Sequence, residues 1–228
     1  MPRDVGVVVV AAGRGVRAGG GVPKQFRDLA GVPLLLRALR PFTGHPDVAQ
    51  VALVLPAESV VHPPEWLAGL RGEGLVFVAG GSERSDSVRA GLDALRAECR
   101  TVLVHDGARP FVERDLIDAV IAGARAGEGI VPAIPEGDTL KQVAADGKTI
   151  ERTVPRDGLW RAQTPQGFPR EMLVAAYQRP RTAAATDDAG VVEAGGGHVR
   201  IIPGSPRNIK VTSPADLELA ELLARVPR

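Results

Sequence analysis

Five short runs along the chain are mostly apolar throughout rather than alternating: Val5–Ala12, Gln50–Pro56, Leu75–Gly81, Thr101–Gly107 and Gly129–Pro135. Runs of this kind read as strands covered on both faces. Between them stand segments with helical spacing. Pro33–Phe42 puts Leu34, Leu35, Ala38 and Leu39 on one face, Ser85–Glu98 puts Val88, Leu92 and Leu95 there, and Glu113–Ala126 does so with Leu116, Ile117, Val120 and Ile121. Strands alternating with helices predict right-handed crossovers. The expected fold class is therefore α/β: a mainly parallel, doubly wound sheet with helices on both faces. The chain closes on Ser213-Pro214-Ala215-Asp216, a capping box with proline at the first helical position, leading into a helix over Leu217–Arg225.

One stretch breaks the alternation. Asp138–Val154 holds two short extended segments around Asp146-Gly147, the strongest signal for a two-residue hairpin. An isolated two-stranded ribbon is marginal in water, so this one must lean on something. A second copy of the chain and the ribbon's own domain both satisfy that demand, and the pattern leaves them open. No repeat, low-complexity tract or linker divides residues 1–228, which are expected to form a single domain.

Composition narrows the function classes. A chain of 228 residues removes about 70–75% of its unfolded surface from water and needs no disulfide or structural metal. The one cysteine, Cys99, excludes a disulfide framework and a Cys-rich zinc site. Lys and Arg number 28 against 27 Asp and Glu, a net charge of +1, so no nucleic acid is expected as partner. Lysine stands only at 24, 141, 148 and 210, so arginine supplies nearly all the positive charge. Val5–Ala12 is too short to span a membrane, and Asp4 precedes it where a signal peptide carries positive charge. The expected location is cytoplasmic, with no membrane partner.

Candidate chemistry begins where the first predicted strand runs into Ala11–Phe26. Glycine there lets the backbone approach a ligand, and successive N–H groups can cradle an anion. Gly13-x-Gly15-x-x-Ala18 loosely matches a dinucleotide fingerprint, but no acidic residue follows near Gly31-Val32-Pro33-Leu34. A Walker A loop fails as well, because Lys24 lies between Pro23 and Gln25. What remains is a nucleotide loop of another kind, with Arg17 and Lys24 toward phosphates, or a solvated surface loop. The fourth predicted strand ends in His105-Asp106-Gly107-Ala108-Arg109-Pro110, at the strand end where open α/β sheets bind ligands. Asp106 could hold Mg²⁺ there together with substrate phosphates. His105 reads instead as a buried, hydrogen-bonded histidine. Thr186, before Asp187 and Asp188, could cap a helix over Ala189–Ala194.

Taken in order, several motifs resemble one family. They are Ala11-Ala12-Gly13-x-Gly15-x-Arg17, Pro23-Lys24-Gln25, Arg84-x-x-Ser87-Val88, His105-Asp106-x-Ala108-Arg109-Pro110, Thr164-Pro165-Gln166, Thr186-Asp187 and Asn208-Ile209-Lys210-Val211-Thr212. The set is similar to that of the 2-C-methyl-D-erythritol 4-phosphate cytidylyltransferases of non-mevalonate isoprenoid synthesis, over essentially the whole chain. Two positions depart from the family pattern: Ala18 replaces a usual methionine and Gly107 a common alanine. Neither change removes a charge.

The resemblance implies a Rossmann-like sheet and a reaction joining CTP to methylerythritol phosphate with release of pyrophosphate, aided by Mg²⁺ or another divalent cation. It assigns Arg17 and Lys24 to the transition state, and Arg156 and Lys210 to the acceptor phosphate with Thr139, Arg109, Thr164 and Thr186 nearby. Ala11, Ala12, Gly13, Gly15, Gly80, Ser87 and Asp106 fall at the nucleotide, and Asp106 also at the metal. Residues 138–154 become a dimerisation arm that carries Thr139 and Arg156 to a partner's site, so a homodimer is expected. Some relatives are fused to the downstream cyclase; no such fusion is expected here, since the sequence ends soon after the Lys210 motif and its closing helix. Two rivals follow: a cytidylyltransferase for another polyol phosphate such as ribitol 5-phosphate, and a non-catalytic nucleotide-binding module, which would be expected to have lost one of Arg17, Lys24, Asp106 or Lys210.

Overall fold

A computed structural model describes residues 3–13, 23–179 and 185–226. Its strands are β1 (Val5–Val10), β2 (Asp28–Leu29), β3 (Val32–Pro33), β4 (Val48–Leu55), β5 (Leu75–Ala79), β6 (Thr101–Asp106), β7 (Gly129–Pro135), β8 (Leu140–Val143), β9 (Ile150–Val154), β10 (Trp160–Ala162), β11 (Gln166–Pro169) and β12 (Val199–Pro203). Its helices are α1 (Leu34–Thr43), α2 (Ala57–Val61), α3 (Glu65–Ala68), α4 (Arg84–Ala94), α5 (Arg114–Arg125), α6 (Arg170–Gln178), α7 (Asp188–Ala194) and α8 (Pro214–Arg225). The main sheet runs β10-β7-β11-β6-β1-β4-β5, and β12 also pairs with β7.

Each of the five apolar runs coincides with a strand of this sheet, although β4 starts at Val48, two residues ahead of its run, and their two-sided apolarity has a direct cause. Val5, Val7 and Val9 face one core with Leu35, Leu39 and Phe42 of α1 and Ile117 and Val120 of α5. Val8 faces a second core with Val88 and Leu92 of α4, Leu173 of α6 and Val192 of α7. Each strand thus meets helices above and below, and polar alternation has no solvent to face. A smaller third cluster joins Leu29, Leu34 and Phe111 to Val211 and Ala220. It seats α8, and with it the loop carrying Lys210, beside the end of the sheet.

β6, β1, β4 and β5 are parallel, as is β12 with β7. The departure from the expected pattern is β11, which slips between β6 and β7 and runs antiparallel to both, with β10 antiparallel on β7. β11 is only four residues long and contains a proline, so no apolar run marks it. α6, α2 and α3 also went unmarked. α4 stops at Ala94 instead of continuing to Glu98, because Leu95 is extended. The Arg170 guanidinium takes up the carbonyls of Leu92, Leu95, Arg96 and Cys99, which satisfies the end of the helix without a further turn.

The ribbon is present, as β8 paired with β9 in a separate two-stranded sheet. Its turn is not the expected two-residue one. Ala144 N–H bonds Thr149 O and Gly147 N–H bonds Ala144 O, which closes a longer loop over residues 145–148. A two-residue type I′ turn needs positive φ at both central positions. Here only Gly147 has it, at 66°. Asp146 instead accepts from the backbone of Lys148 and Thr149 and from the Thr149 hydroxyl, so its side chain builds the loop. Val143 and Ile150 on the ribbon are about half exposed.

Candidate active site

A cleft of about 980 Å³ opens at the carboxyl ends of β1 and β6, where a doubly wound sheet offers its ligand crevice. β1 hands over to Ala11, whose N–H bonds Val54 O at 2.8 Å, and Gly107 N–H bonds Val10 O at 2.9 Å. The strand ends are thereby locked together. The buried Gln25 side chain donates to Ala11 O at 3.2 Å and Gly13 O at 3.5 Å, which ties the near end of the glycine loop to the turn that carries Lys24. Lys24 Nζ in turn donates to Val211 O at 2.9 Å. One lysine so joins two loops 187 residues apart.

The wall beside β5 is built without room for side chains. A Cβ on Gly80 would lie 2.3 Å from the Ala12 Cβ and 2.8 Å from Ser87 Oγ. Ser87 accepts from Gly81 N–H at 3.3 Å and donates to Glu83 O at 3.2 Å, so its hydroxyl holds the turn ahead of α4. Backbone, not side chain, is what this wall presents to a flat ligand.

Charge concentrates around Asp106. Asp106 Oδ2 is 2.7 Å from Lys210 Nζ, and Oδ1 accepts from Arg84 Nε at 3.3 Å. Arg84 Nη2 reaches Asp188 Oδ2 at 2.7 Å. Burial pushes the Asp106 carboxyl upward, but Arg84 and Lys210 outweigh it and hold it well below the usual carboxylate range. Burial likewise opposes the Arg84 charge, which Asp188 and then Asp106 restore, so this arginine stays cationic. Two cations face two anions, in a cluster that a phosphate-rich ligand can rearrange.

A buried frame lies beneath. Thr164 Oγ accepts from Asp106 N–H at 3.0 Å and is 3.1 Å from His105 Nδ1. His105 Nε2 is 3.1 Å from Arg109 O, an acceptor, so Nε2 carries the proton and Nδ1 accepts from Thr164. Full burial lowers the His105 pKa to about 4, so the ring is neutral at neutral pH. Arg109 donates to Asn208 O at 2.7 Å and Ala162 O at 3.3 Å, and Asn208 donates to Thr164 O at 2.8 Å. His105 is thus the hydrogen-bonded core histidine that the sequence suggests.

Ala11, Ala12, Gly13, Lys24, Ser87, Asp106 and Lys210 line this cleft together, with Gly80 bordering it. Arg109 and Thr164 brace it from below, 9% and 4% exposed. Thr139 and Arg156 stand exposed at the base of the ribbon, with Arg156 donating to Gly137 O, and neither lines the cleft of its own chain. Thr186 is exposed beside α7, and the cap of that helix is Asp187, which accepts from Gly190 N–H at 2.9 Å. Gly15, Arg17 and Ala18 lie outside the described residues. Sequence reasoning gave no role to Arg84, although its motif was in view, nor to Gln25 and Asp188. Asp188 is 104 residues from Arg84, and only the fold relates them.

No group of three or more His, Cys, Asp or Glu among the described residues forms a metal cage. The donor set still suits Mg²⁺, which commonly takes one or two protein carboxylates and fills its shell with substrate phosphates and water. Asp106 is the buried carboxylate facing the cleft.

An open α/β sheet with a glycine loop after its first strand, and lysines and a carboxylate gathered from distant loops, defines a nucleotidyltransferase. The family model described as 2-C-methyl-D-erythritol 4-phosphate cytidylyltransferase matches residues 5–225. A relative of that name from Frankia casuarinae is 48% identical, over 97% of this chain and 82% of its own length. A bifunctional IspD/IspF enzyme from Rhodospirillum rubrum is 47% identical over 97% of this chain, and this chain spans 57% of that longer protein. The crystal structure of the cytidylyltransferase from Thermus thermophilus superposes with a TM-score of 0.79 at 39% identity, covering 98% of this chain and all of the other. The chain belongs to the 2-C-methyl-D-erythritol 4-phosphate cytidylyltransferase family.

Proposed function

We propose that this chain transfers the cytidylyl group of CTP to 2-C-methyl-D-erythritol 4-phosphate, forming 4-diphosphocytidyl-2-C-methyl-D-erythritol and pyrophosphate. The observation that carries the reading is the convergence of Lys24, Arg84, Asp106 and Lys210, from four separate segments, on one cleft that is also bordered by close-packed backbone at Gly80 and Gly81.

The acceptor is a phosphate monoester that already carries about −1.5 to −2 charge near neutral pH. Its oxygen attacks the α-phosphorus of CTP, a new P–O bond forms, and the bond to the β-phosphate oxygen breaks as pyrophosphate leaves. No proton has to be removed, so a general base is unnecessary and the neutral His105 stays in the frame. The barrier is electrostatic, and catalysis is positioning plus stabilisation of charge. Lys24, with Arg17, would meet charge on the attacked phosphate and the leaving group. Ala11, Ala12, Gly13, Gly15, Gly80 and Ser87 would take the nucleotide. Lys210 would turn from Asp106 to the acceptor phosphate. Mg²⁺, held by Asp106 and the triphosphate, would neutralise phosphate charge when bound.

Arg156 and Thr139 complete the acceptor site in this reading, from the arm of a second subunit. Their exposure away from their own cleft, and the half-exposed Val143 and Ile150 on the same ribbon, support a homodimer. Pyrophosphate release is measured with CTP and methylerythritol phosphate, ribitol 5-phosphate or no acceptor. Release with methylerythritol phosphate is expected; release with ribitol phosphate alone would reassign the acceptor.

A further inference from the structure

We propose that Asp188, which does not line the cleft, is a positioning residue that fixes Arg84 for turnover, acting with Tyr177 and Arg84 as one unit; this rests on the transfer reaction proposed above.

Asp188 is fully buried in the first turn of α7. An ionised carboxylate in such a place requires donors on its oxygens. The two oxygens are divided between partners: Oδ1 accepts from the Tyr177 hydroxyl at 2.6 Å and Oδ2 from Arg84 Nη2 at 2.7 Å. Burial and then the Asp188 charge push the Tyr177 hydroxyl up, so it remains a donor. The residues on either side of Asp188 are clamped as well. Gln166 of β11 donates to Asp187 at 2.6 Å and accepts from Ala189 N–H at 2.9 Å. The carboxylate is therefore held by β11, α6 and α7 before any ligand arrives.

What it holds is the back of a fork. Arg84 bridges Asp188 through Nη2 and Asp106 through Nε, and among the described residues nothing accepts from Nη1, which belongs to a side chain lining the cleft. A lysine ammonium could donate to both carboxylates but not in the fixed, planar spacing of Nε and Nη2. Neutralising Arg84 does not by itself need Asp188, since Asp106 is already beside it. The geometry points to restraint. Without Asp188 to pull it back, the guanidinium is free to close bidentately on Asp106. That closure would compete with Lys210 for the carboxylate and withdraw it from substrate and metal. Asp188 keeps Arg84 to one oxygen of Asp106.

The test is a double-variant cycle with Asp188→Asn, which keeps shape and loses charge, and Arg84→Lys, which keeps charge and loses the fork. Each is expected to lower kcat by roughly 10–100-fold, the range for losing a partner that orients a functional group. KM for CTP and for the acceptor should stay within about threefold in each. The double variant should be no slower than the slower single one, because the pair acts as a unit. Tyr177→Phe should move kcat in the same direction by less. The Arg84 Nε–H resonance in ¹H–¹⁵N spectra supplies a readout independent of turnover: Asp188→Asn should shift it or exchange it away while the folded spectrum persists. Native kcat in Asp188→Asn, losses that multiply in the double variant, or an unmoved Arg84 signal would each overturn the proposal. If the native protein ignores methylerythritol phosphate, the proposed function fails, and the Arg84 signal still decides the role of Asp188.

Discussion

Asp106 is 8% exposed and both its oxygens are engaged by cations from two other segments, whereas Arg156, its counterpart at the base of the ribbon, is exposed and donates to the nearby Gly137 carbonyl. The cleft is built from the inside. Its charges are paired, its backbone is pinned by Gln25, Thr164 and Arg109, and its loops spring from the ends of β1 and β6, strands buried on both faces. The ribbon is built outward, from a two-stranded sheet with apolar side chains in solvent. A preorganised region pays no ordering cost when substrate arrives. A region like the ribbon acquires its working geometry only by packing on something else. Variants in the two regions should therefore fail differently.

The largest effect is expected in the cleft. Lys24→Ala should lower the chemical rate by roughly 10²–10³, the scale for losing one donor to transition-state charge. Single-turnover kinetics check this, and near-normal turnover would remove Lys24 from the chemistry.

The buried frame should respond to acid through a neutral buried ring. An unfolded chain protonates His105 near pH 6.5, while the folded one resists until about pH 4. Stability from this residue is thus complete above pH 6.5 and falls as pH drops from there toward 4, by up to about 3 kcal/mol. Urea unfolding at pH 7 and pH 4 should show a smaller acid loss in His105→Gln than in the native chain. Asp106 adds little to that window: Arg84 and Lys210 keep the folded carboxyl ionised, and the unfolded one protonates near pH 3.8, so its loss begins only at the acid end. Equal acid losses in the two proteins would contradict the neutral buried ring.

The smallest effect separates the regions most cleanly. Arg156→Ala should raise KM for the acceptor by roughly 10-fold, leaving KM for CTP and the thermal midpoint of the subunit nearly unchanged. Weakened CTP binding with unaltered acceptor kinetics would place Arg156 at the wrong substrate.

The same contrast explains what could be read from the residues alone. β1, β4, β5, β6 and β7, with α1, α5 and α8, announce themselves, because burial on two faces or one leaves an unbroken or periodic apolar pattern, whereas the parallel but half-exposed β12 has none. β11, with Gly167 and Pro169 in four residues, is placed by β6 and β7 on either side of it and carries no pattern of its own. The ribbon was legible through Asp146-Gly147, but its loop type was not, since it depends on Asp146 bonding forward to Thr149 rather than on the dipeptide. Lys24, Asp106 and Lys210 stood in recognisable motifs and meet in the cleft. Arg109 and Thr164 stood in motifs too, yet their side chains brace the floor. Asp188 could not be found before folding, because its meaning lies in a contact with Arg84 across 104 residues.

The central claim is that one working site draws its charges from a buried cleft in one chain and an exposed ribbon in another. Mixing Lys24→Ala chains with Arg156→Ala chains, refolded together and assayed at low acceptor concentration, tests it directly. If the ribbon serves the partner, each mixed dimer holds one site with both native residues, and random pairing restores roughly a quarter of native activity. If Lys24 and Arg156 serve the same chain's site, the mixture stays at the mean of the two variants.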